Sequence, residues 1–283
     1  MGLRERRAIK TFQSEQLPTL KARLDEAAGF EVELEVHWDQ LAIEGGWDHL
    51  FPEAWKTIFF RTVIEAFESI AADDMGQSLL KQSVRSIVFK NESGSYGAAS
   101  AISFENGVIT IDHEPVTNAD DYNTEQRVER LRKLIEEATP EGAGGLGLRQ
   151  RRAIEAFQRD QLPGLRQQLD EITGPEVELE VKWDQLAGPG EYDHLFSETW
   201  PKVYFHTVLE AFKAVAIDEL GQEALRDGVK KIVFKNESGN TSVASAISFE
   251  DGVITIDHDP VTNVDSNANE RAAALQKMLE DAL

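Results

Sequence analysis

The chain has 283 residues, with 29 Lys and Arg against 51 Asp and Glu, a formal net charge of −22 and no cysteine. Such an acidic chain repels nucleic acid and anionic membrane surfaces, so neither is expected as a partner. The lack of cysteine excludes disulfides, thiolate metal sites and a cysteine nucleophile. The sequence shows neither a leader peptide nor an apolar run of transmembrane length, so a cytoplasmic location is expected.

Each half of the chain is predicted to begin with an amphipathic helix. Apolar residues fall at helical spacing over 3–28 and again over 148–172. Pro18 and Pro163 interrupt these stretches, and a proline inside a helix removes a backbone donor and clashes with the preceding turn. We therefore expect either a kinked helix or two short helices that meet near each proline.

A strand with one solvent-exposed face is predicted after each of these regions. The sequence EVELEVHW at 31–38 alternates apolar with acidic or polar residues, and EVELEVKW at 176–183 does the same. A half-buried strand has this pattern, because its acidic side chains remain in water. A loop rich in glycine and aromatic residues follows each strand.

Helices account for most of the remaining chain. Residues 53–71 carry a broad apolar stripe, which indicates a helix buried on more than one side, and 200–216 repeats the pattern. A shorter helix is predicted over 74–84. Helices over 124–137 and 269–282 are predicted to end the two halves.

The two halves are most alike in the stretch that precedes the last helix. Residues 87–118 recur at 232–263 without a gap, at a constant offset of 145. Within this stretch, Asn-Gly at 106–107 and Asp-Gly at 251–252 predict two-residue hairpin turns, in which both residues need a positive φ. A further strand is predicted before each hairpin.

Counting outward from the turn gives the register of the first hairpin. Phe104 faces Ile109 and Ile102 faces Ile111, so these four apolar side chains share one face of the sheet. A slip of one residue would move these side chains to the solvent-facing side of the sheet, and the register should therefore be firmly held. The same count places His113 at the end of the strand on the core-facing side.

The repeat predicts two domains produced by a tandem duplication. We expect one copy over 1–140, a glycine-rich linker over 141–147 and the second copy over 148–283. Each copy has the order helix, strand, helix, helix, three strands, helix. Because strands and helices are segregated, the expected class is α+β, with a mostly antiparallel sheet of about four strands covered on one face by helices. The two copies could pack about a pseudo-two-fold axis, in the manner of a homodimer.

Histidines and aromatic residues that recur in both copies mark a candidate ligand-binding site. A glycine-rich loop with an aromatic side chain beside a histidine could line a small-molecule pocket. A histidine at a strand end is also explained as a hydrogen-bonded group that closes the sheet. The candidates are Trp47, His49 and His113 in the first copy and Tyr192, His194 and His258 in the second.

Oxygen-bearing side chains crowd the turn after the last strand of each copy. Carboxylate and amide oxygens are the ligands of hard cations such as calcium or magnesium. The spacing departs from the EF-hand pattern, and Asp and Asn are also ordinary cap and turn residues. The candidate metal ligands are Asp112, Glu114, Asn118 and Asp120 in the first copy and Asp257, Asp259, Asn263 and Asp265 in the second.

Two functional hypotheses remain open at this point. The first is a non-enzymatic cytoplasmic interaction or scaffold protein, whose aromatic loops or acidic sheet faces dock a protein partner or a second copy of the chain. The second is a small-molecule or metal-binding domain, including a metal-dependent hydrolase, that uses the DH(E/D)P turn and the W/YDHLF loop. The sequence assigns no catalytic residue.

Overall fold

The computed structural model describes residues 1–98, 100–137, 145–188 and 190–283. By its internal contacts the chain divides into two units, Met1–Ala143 and Gly144–Leu283, which are called the first and the second unit. Most of the predicted linker, residues 141–144, lies outside the described residues. Each unit is a mixed α+β structure, in which one four-stranded sheet packs with helices.

The two units contain the same main helices and strands in the same order. The first unit consists of α1 (Leu3–Glu15), α2 (Leu17–Ala28), β1 (Glu33–Val36), α3 (Trp38–Leu41), α4 (Phe51–Trp55), a π-helical segment (Lys56–Arg61), α5 (Thr62–Ile70), α6 (Asp74–Ser83), β2 (Ser86–Lys90), β3 (Ile102–Glu105), β4 (Val108–Asp112) and α7 (Asp121–Glu136). The second unit consists of α8 (Leu148–Asp160), α9 (Leu162–Thr173), β5 (Glu178–Val181), α10 (Trp183–Leu186), a 3-10 helix (Gly190–Leu195), α11 (Phe196–Trp200), a π-helical segment (Pro201–Phe205), α12 (His206–Val215), α13 (Glu219–Gly228), β6 (Lys231–Lys235), α14 (Val243–Ala246), β7 (Ile247–Glu250), β8 (Val253–Asp257) and α15 (Ala268–Ala282). In the part of the chain that the structure describes, no helix is long and apolar enough to cross a lipid bilayer.

The helix that opens each unit is divided beside its proline, as predicted. In the first unit α1 ends at Glu15 and α2 begins at Leu17, so that Pro18 stands in the first turn of the second helix. Proline is tolerated there because the first N–H groups of a helix have no intrahelical acceptor. The junction at Gln161 divides α8 from α9 in the same way.

The first strand is shorter than the alternating pattern predicted. β1 ends at Val36, and Trp38 begins the short helix α3 instead of continuing the strand. The indole of Trp38 packs in an aromatic cluster, with its centroid 5.6 Å from the ring of Phe12 and 5.3 Å from that of Trp55. This packing explains why the chain leaves the sheet before the apolar pattern ends.

The sheet of each unit is mixed, so the predicted mostly antiparallel sheet is wrong. The strand order is β1-β2-β4-β3 in the first unit and β5-β6-β8-β7 in the second. In the first unit β1 pairs with β2 and β2 pairs with β4 in parallel, while β3 and β4 alone are antiparallel. The connection from β1 to β2 runs through helices α3 to α6, and such a long crossover is what a parallel pair requires.

The predicted hairpin and its register are confirmed. The turn residues Asn106 and Gly107 have φ values of +50° and +81°, as a type I′ turn needs. Phe104 pairs with Ile109, and Ile102 pairs with Ile111. The second hairpin has the equivalent register about its own Asp-Gly turn.

The core of each unit lies between one face of the sheet and the helices. Ile87, Phe89, Ile109 and Ile111 are fully buried, whereas the residues between them along β2 and β4 are only partly buried. The α4–α5 region supplies large buried side chains on several sides, as predicted for 53–71. One face of the sheet is therefore covered and the other is open to solvent.

Candidate functional site

The predicted histidine at the end of the hairpin is a buried, neutral group. His113 is fully buried, and its backbone N–H donates to the carbonyl oxygen of Lys90 at 3.0 Å, which continues the pairing of β2 and β4. Its Nδ1 lies 2.5 Å from the carbonyl oxygen of Glu114, so Nδ1–H is the donor. Nε2 is buried and makes no hydrogen bond of good geometry among the described residues, and the backbone of Tyr96 lies close enough to act against the lowering of the pKa. Burial lowers the pKa of His113, which stays uncharged at neutral pH.

His258 repeats this arrangement in the second unit. It is fully buried, Nδ1 lies 2.6 Å from the carbonyl oxygen of Asp259, and burial lowers its pKa. The second unit adds one contact, because the hydroxyl of Tyr204 donates to the carbonyl oxygen of His258 at 2.6 Å. Burial raises the pKa of Tyr204 well above its usual value, so the phenol is a donor at all ordinary pH values.

A buried arginine lies near each histidine, and sequence reasoning missed it. Arg127 of α7 is fully buried and donates to the carbonyl oxygen of Asn118 and to Oγ1 of Thr124, both at 3.0 Å. A longer contact of 3.4 Å joins its Nε to Oγ1 of Thr62. Burial lowers the pKa of Arg127 to about 10, and its positive charge helps to lower the pKa of His113. Among the described residues no carboxylate lies within 4.0 Å of this guanidinium group.

Arg271 of α15 takes the same place in the second unit. It is fully buried and donates to the carbonyl oxygens of Asn263 at 2.9 Å and Val264 at 2.8 Å. Its Nε is buried without a hydrogen-bond partner within the described ranges, and burial lowers its pKa. A sequence signal did exist, since Arg271 precedes the buried Leu275 and Leu279 at a spacing of four on one helix face.

The candidate metal ligands lie in the acidic turns, defined as residues 112–120 and 257–265. Asp112 accepts hydrogen bonds from the backbone N–H groups of Glu92 at 2.8 Å and Ser93 at 3.0 Å. Burial acts to raise the pKa of Asp112, but these hydrogen bonds hold it below its usual value. Asp257 makes the equivalent bonds at 2.9 and 3.1 Å. Both carboxylates therefore hold the loop that follows the central strand.

The next acidic residue in each turn bonds to the turn itself. Oε2 of Glu114 accepts from the backbone N–H groups of Val116 at 3.1 Å and Thr117 at 2.6 Å. Asp259 accepts from the two equivalent N–H groups at 3.0 and 2.8 Å. A turn closed by a side-chain oxygen in this way needs no ion to hold it together.

The remaining candidate ligands are also engaged in local structure. Asn118 and Asn263 have left-handed φ values of +57° and +55°, and their side-chain amides donate to backbone carbonyl oxygens at 2.8 and 3.2 Å. Asp120 caps α7 by accepting from a backbone N–H at 2.9 Å. Asp265 instead pairs with Lys202 at 2.9 Å. Across the described residues no group of three His, Asp or Glu side chains is placed to hold a metal ion.

The second set of candidate ligand-binding residues lies on the surface. Trp47 is 47% exposed and Tyr192 is 42% exposed. Nδ1 of His49 lies 3.1 Å from the carbonyl oxygen of Gly46 in its own loop, and the backbone N–H of His194 donates to the adjacent Asp193 carboxylate at 2.9 Å. The contacts of these loop histidines are local, so the structure does not join them to the buried histidines.

The solvent-facing side of each sheet, here named the open face, carries a regular array of side chains. Strand pairing sets them in rows that run across all four strands. The first unit has the rows Glu33–Ser86–Val108–Glu105 and Glu35–Val88–Thr110–Ser103, followed by Lys90–Asp112. The second unit has the rows Glu178–Lys231–Val253–Glu250 and Glu180–Val233–Thr255–Ser248, followed by Lys235–Asp257.

The two open faces differ in charge along the first strand. In the second unit Lys231 lies 2.9 Å from Glu178 and 2.6 Å from Glu180, and Lys182 also pairs with Glu180. Hydrogen bonds from Lys182 and Lys231 lower the pKa of Glu180 to about 2. In the first unit the position of Lys231 is occupied by Ser86.

Glu33 and Glu35, named the acidic edge of the first unit, consequently lack a lysine partner. Nε2 of His37 lies 2.8 Å from Glu35, and within the described residues Glu33 forms no ion pair. Both faces carry two glutamates on the first strand, and the most evident difference between the faces is that, in the described part of the chain, lysines pair with these glutamates only in the second unit.

Comparisons with protein-family models, with curated proteins and with solved structures found no match for this chain. Its function can therefore be inferred only from its own geometry.

Proposed function

We propose that this chain is a non-enzymatic cytoplasmic interaction protein, built by tandem duplication of one domain, and that its open faces contact a protein partner. The observation that carries the proposal is the one-sided packing of each sheet. In a two-layer unit the second face of the sheet is left to water or to a partner. Here this face presents equivalent rows of valine, threonine, serine and glutamate in both units, except that Ser86 of the first unit is Lys231 in the second.

The shared topology supports the duplication. Both units have the same strand order, equivalent registers and positive φ values at equivalent turn positions. They also share the buried histidine and arginine, which no general rule of packing requires. Two independent domains would not be expected to repeat such details together with a stretch of 32 residues, 87–118, that recurs without a gap at 232–263.

The positions of the titratable groups favour binding over catalysis. His113 and His258 are fully buried and hydrogen-bonded to adjacent backbone, and a general base must reach its substrate. The carboxylates at the start of the acidic turns, Asp112 and Asp257, accept backbone N–H groups. The rival hypothesis of a metal-dependent hydrolase therefore has less support than the interaction hypothesis.

A charge substitution at the centre of each open face tests the proposal. Thr110 and Thr255 lie partly exposed in the middle row, so Thr110→Arg with Thr255→Arg would place two long cations on the faces without entering the core. The matched control is Thr11→Arg with Thr241→Arg, which makes the same charge change at exposed threonines outside the faces. All three proteins are tagged, checked for folding by circular dichroism, and used to capture proteins from native lysate.

The proposal predicts that the wild-type chain and the control retain the same specific protein and that the face variant loses it. If the face variant retains that protein equally well, the open faces do not form the contact. If the wild-type chain retains nothing beyond what an empty tag retains, the interaction hypothesis itself is wrong.

A further inference from the structure

We propose that the open face of the first unit, and not that of the second, docks a basic amphipathic helix of a partner protein. This inference rests on the proposed function and adds the chemistry of the partner. It depends on the spacing of the rows, on the apolar centre of the face and on the uncompensated acidic edge.

The width of the face suits a helix that lies along the strands. Neighbouring strands are about 4.8 Å apart, so β1 and β3, which are three spacings apart, are separated by about 14 Å. A helix with its side chains is about 10–12 Å across. A helix over β2 and β4 therefore fits between Glu33 and Glu35 on one side and Glu105 on the other.

The centre of the face provides a contact for the apolar side of such a helix. Val88, Val108 and Thr110 are partly exposed and adjacent across β2 and β4. Strands of four or five residues are about 15 Å long, which about ten helical residues would cover. Lysine or arginine side chains on both flanks of the helix would then reach the carboxylates of the two outer strands.

The charge of the outer strand indicates that the basic helix docks on the first unit. Glu33 and Glu35 carry two negative charges with no lysine or arginine beside them, whereas Glu178 and Glu180 are approached by Lys231 and Lys182. On the first face a partner's cations would meet Glu33, which forms no ion pair among the described residues, and Glu35, whose neighbour is His37, whereas on the second they would meet like charges. Like charges brought together at an interface oppose association.

The same charges argue against other occupants. A second copy of the chain would bring one acidic face against another, and nucleic acid or an anionic membrane would be repelled by a chain of net charge −22. Cationic side chains with an apolar stripe between them are the complement of this surface. A basic amphipathic helix has that arrangement.

The test exchanges the residues that distinguish the two faces, which are Ser86 and His37 in the first unit and Lys231 and Lys182 in the second. The probe is a fluorescent 18-residue peptide of leucine and lysine with its leucines at helical spacing, and a peptide of the same composition in scrambled order is the comparison. Binding to the full chain is measured by anisotropy and by calorimetric stoichiometry. The variants are Ser86→Lys, the double variant Lys231→Ser with Lys182→His, and the control Ser14→Lys, which makes the same charge change as Ser86→Lys on the exposed surface of α1.

The wild-type chain should bind one ordered peptide and discriminate against the scrambled one. Ser86→Lys should weaken binding about tenfold, equivalent to about 1.4 kcal/mol, because the new lysine neutralises the acidic edge and repels the peptide. The double variant Lys231→Ser with Lys182→His, which gives the second unit the residues of the first, should add a second site, and Ser14→Lys should bind as the wild type does.

Equal binding by Ser86→Lys and the wild type, or no binding by the wild type, would overturn the inference. So would equal binding of the scrambled peptide, because the attraction would then depend on charge alone. If Ser86→Lys binds the peptide normally while the Thr110→Arg and Thr255→Arg variant loses its lysate partner, the open faces form an interface of different chemistry. The proposed function would then survive and the basic-helix inference would not.

Discussion

Gly107 closes the β3–β4 hairpin under two separate restrictions. Its φ is +81°, and a Cβ built on it would lie 2.9 Å from the carbonyl oxygen of Ser83 and 3.0 Å from Cγ of Arg85. Gly29, which ends α2, has nearly the same φ of +78°, but a Cβ there would meet nothing within 4 Å. Substituting alanine at each glycine therefore separates the cost of the backbone conformation from the cost of the close approach.

The expected magnitudes follow from these two geometries. A left-handed conformation costs alanine about 1–2 kcal/mol, and the lower entropy of the unfolded chain returns about 0.4–1 kcal/mol. Gly29→Ala should therefore lower the free energy of unfolding by about 1 kcal/mol. At Gly107 the neighbouring oxygen belongs to the backbone and cannot rotate away, so overpacking should add about 1–3 kcal/mol to the loss.

Hydrogen exchange measured in increasing urea reports the unfolding free energy of each unit separately, when it is followed on peptides from β2 and β4 or from β6 and β8. Gly252→Ala provides a repeat of the experiment in the second unit, since Gly252 has a φ of +84° and its Cβ would lie 2.7 Å from the carbonyl oxygen of Gly228. If Gly107→Ala and Gly29→Ala lower the stability of the first unit equally, the close approach at the hairpin has no energetic effect and the reasoning is wrong.

Three further predictions concern the buried and acidic groups. An unfolded histidine takes up a proton as the pH falls through about 6.5, whereas the lowered pKa values of His113 and His258 keep both side chains neutral to a lower pH. The stability that they contribute is present above pH 6.5 and should be lost as the pH falls, by up to about 1.4 kcal/mol per pH unit for each, and a flat urea-unfolding profile between pH 7.5 and 5.5 would contradict their burial. Calcium, magnesium, manganese and zinc should leave the melting temperature unchanged, because carboxylate oxygens of the acidic turns already accept hydrogen bonds from backbone N–H groups. A saturable rise of the melting temperature with any of these ions would show that the turns bind a metal ion. Asp112→Asn should lower the free energy of unfolding by about 1 kcal/mol, because charge-assisted hydrogen bonds to two backbone N–H groups are lost, while Glu33→Gln on the exposed acidic edge should change it by less than about 0.5 kcal/mol. Chemical unfolding measures both values, and equal effects would refute the structural role given to Asp112.

Local sequence signals predicted the elements whose geometry depends on neighbouring residues. The Asn-Gly dipeptide restricts the turn at 106–107 to positive φ, and two-residue periodicity then assigns Ile109 and Ile111 to the buried face. The break between α1 and α2 follows in the same way from Pro18. Each of these signals acts over a few residues, so it could be read without knowing the rest of the fold.

The order of the strands depends on residues far apart in the chain and could not be read in this way. β4 lies between β2 and β3, and α7 packs against both α5 and β3, whereas the hairpin sequence alone is compatible with either strand at the edge of the sheet. The buried arginines were missed although helical spacing gave a local signal, because an arginine on a helix is usually exposed. Arg127 looks like a surface residue of α7 until its neighbours Leu131 and Ile135 on the same face are seen to be buried.

Differences between the two units indicate which parts of the shared fold are free to vary. In the core, Phe59 is replaced by Tyr204, whose hydroxyl reaches a backbone oxygen, so the change keeps the aromatic packing against the equivalent strand. On the open face, Ser86 is replaced by Lys231, which alters charge without altering the register of the strand. Packing explains the change from Phe59 to Tyr204 but does not explain the change from Ser86 to Lys231. We therefore expect that any difference in what the two units bind depends on the charge of the open face.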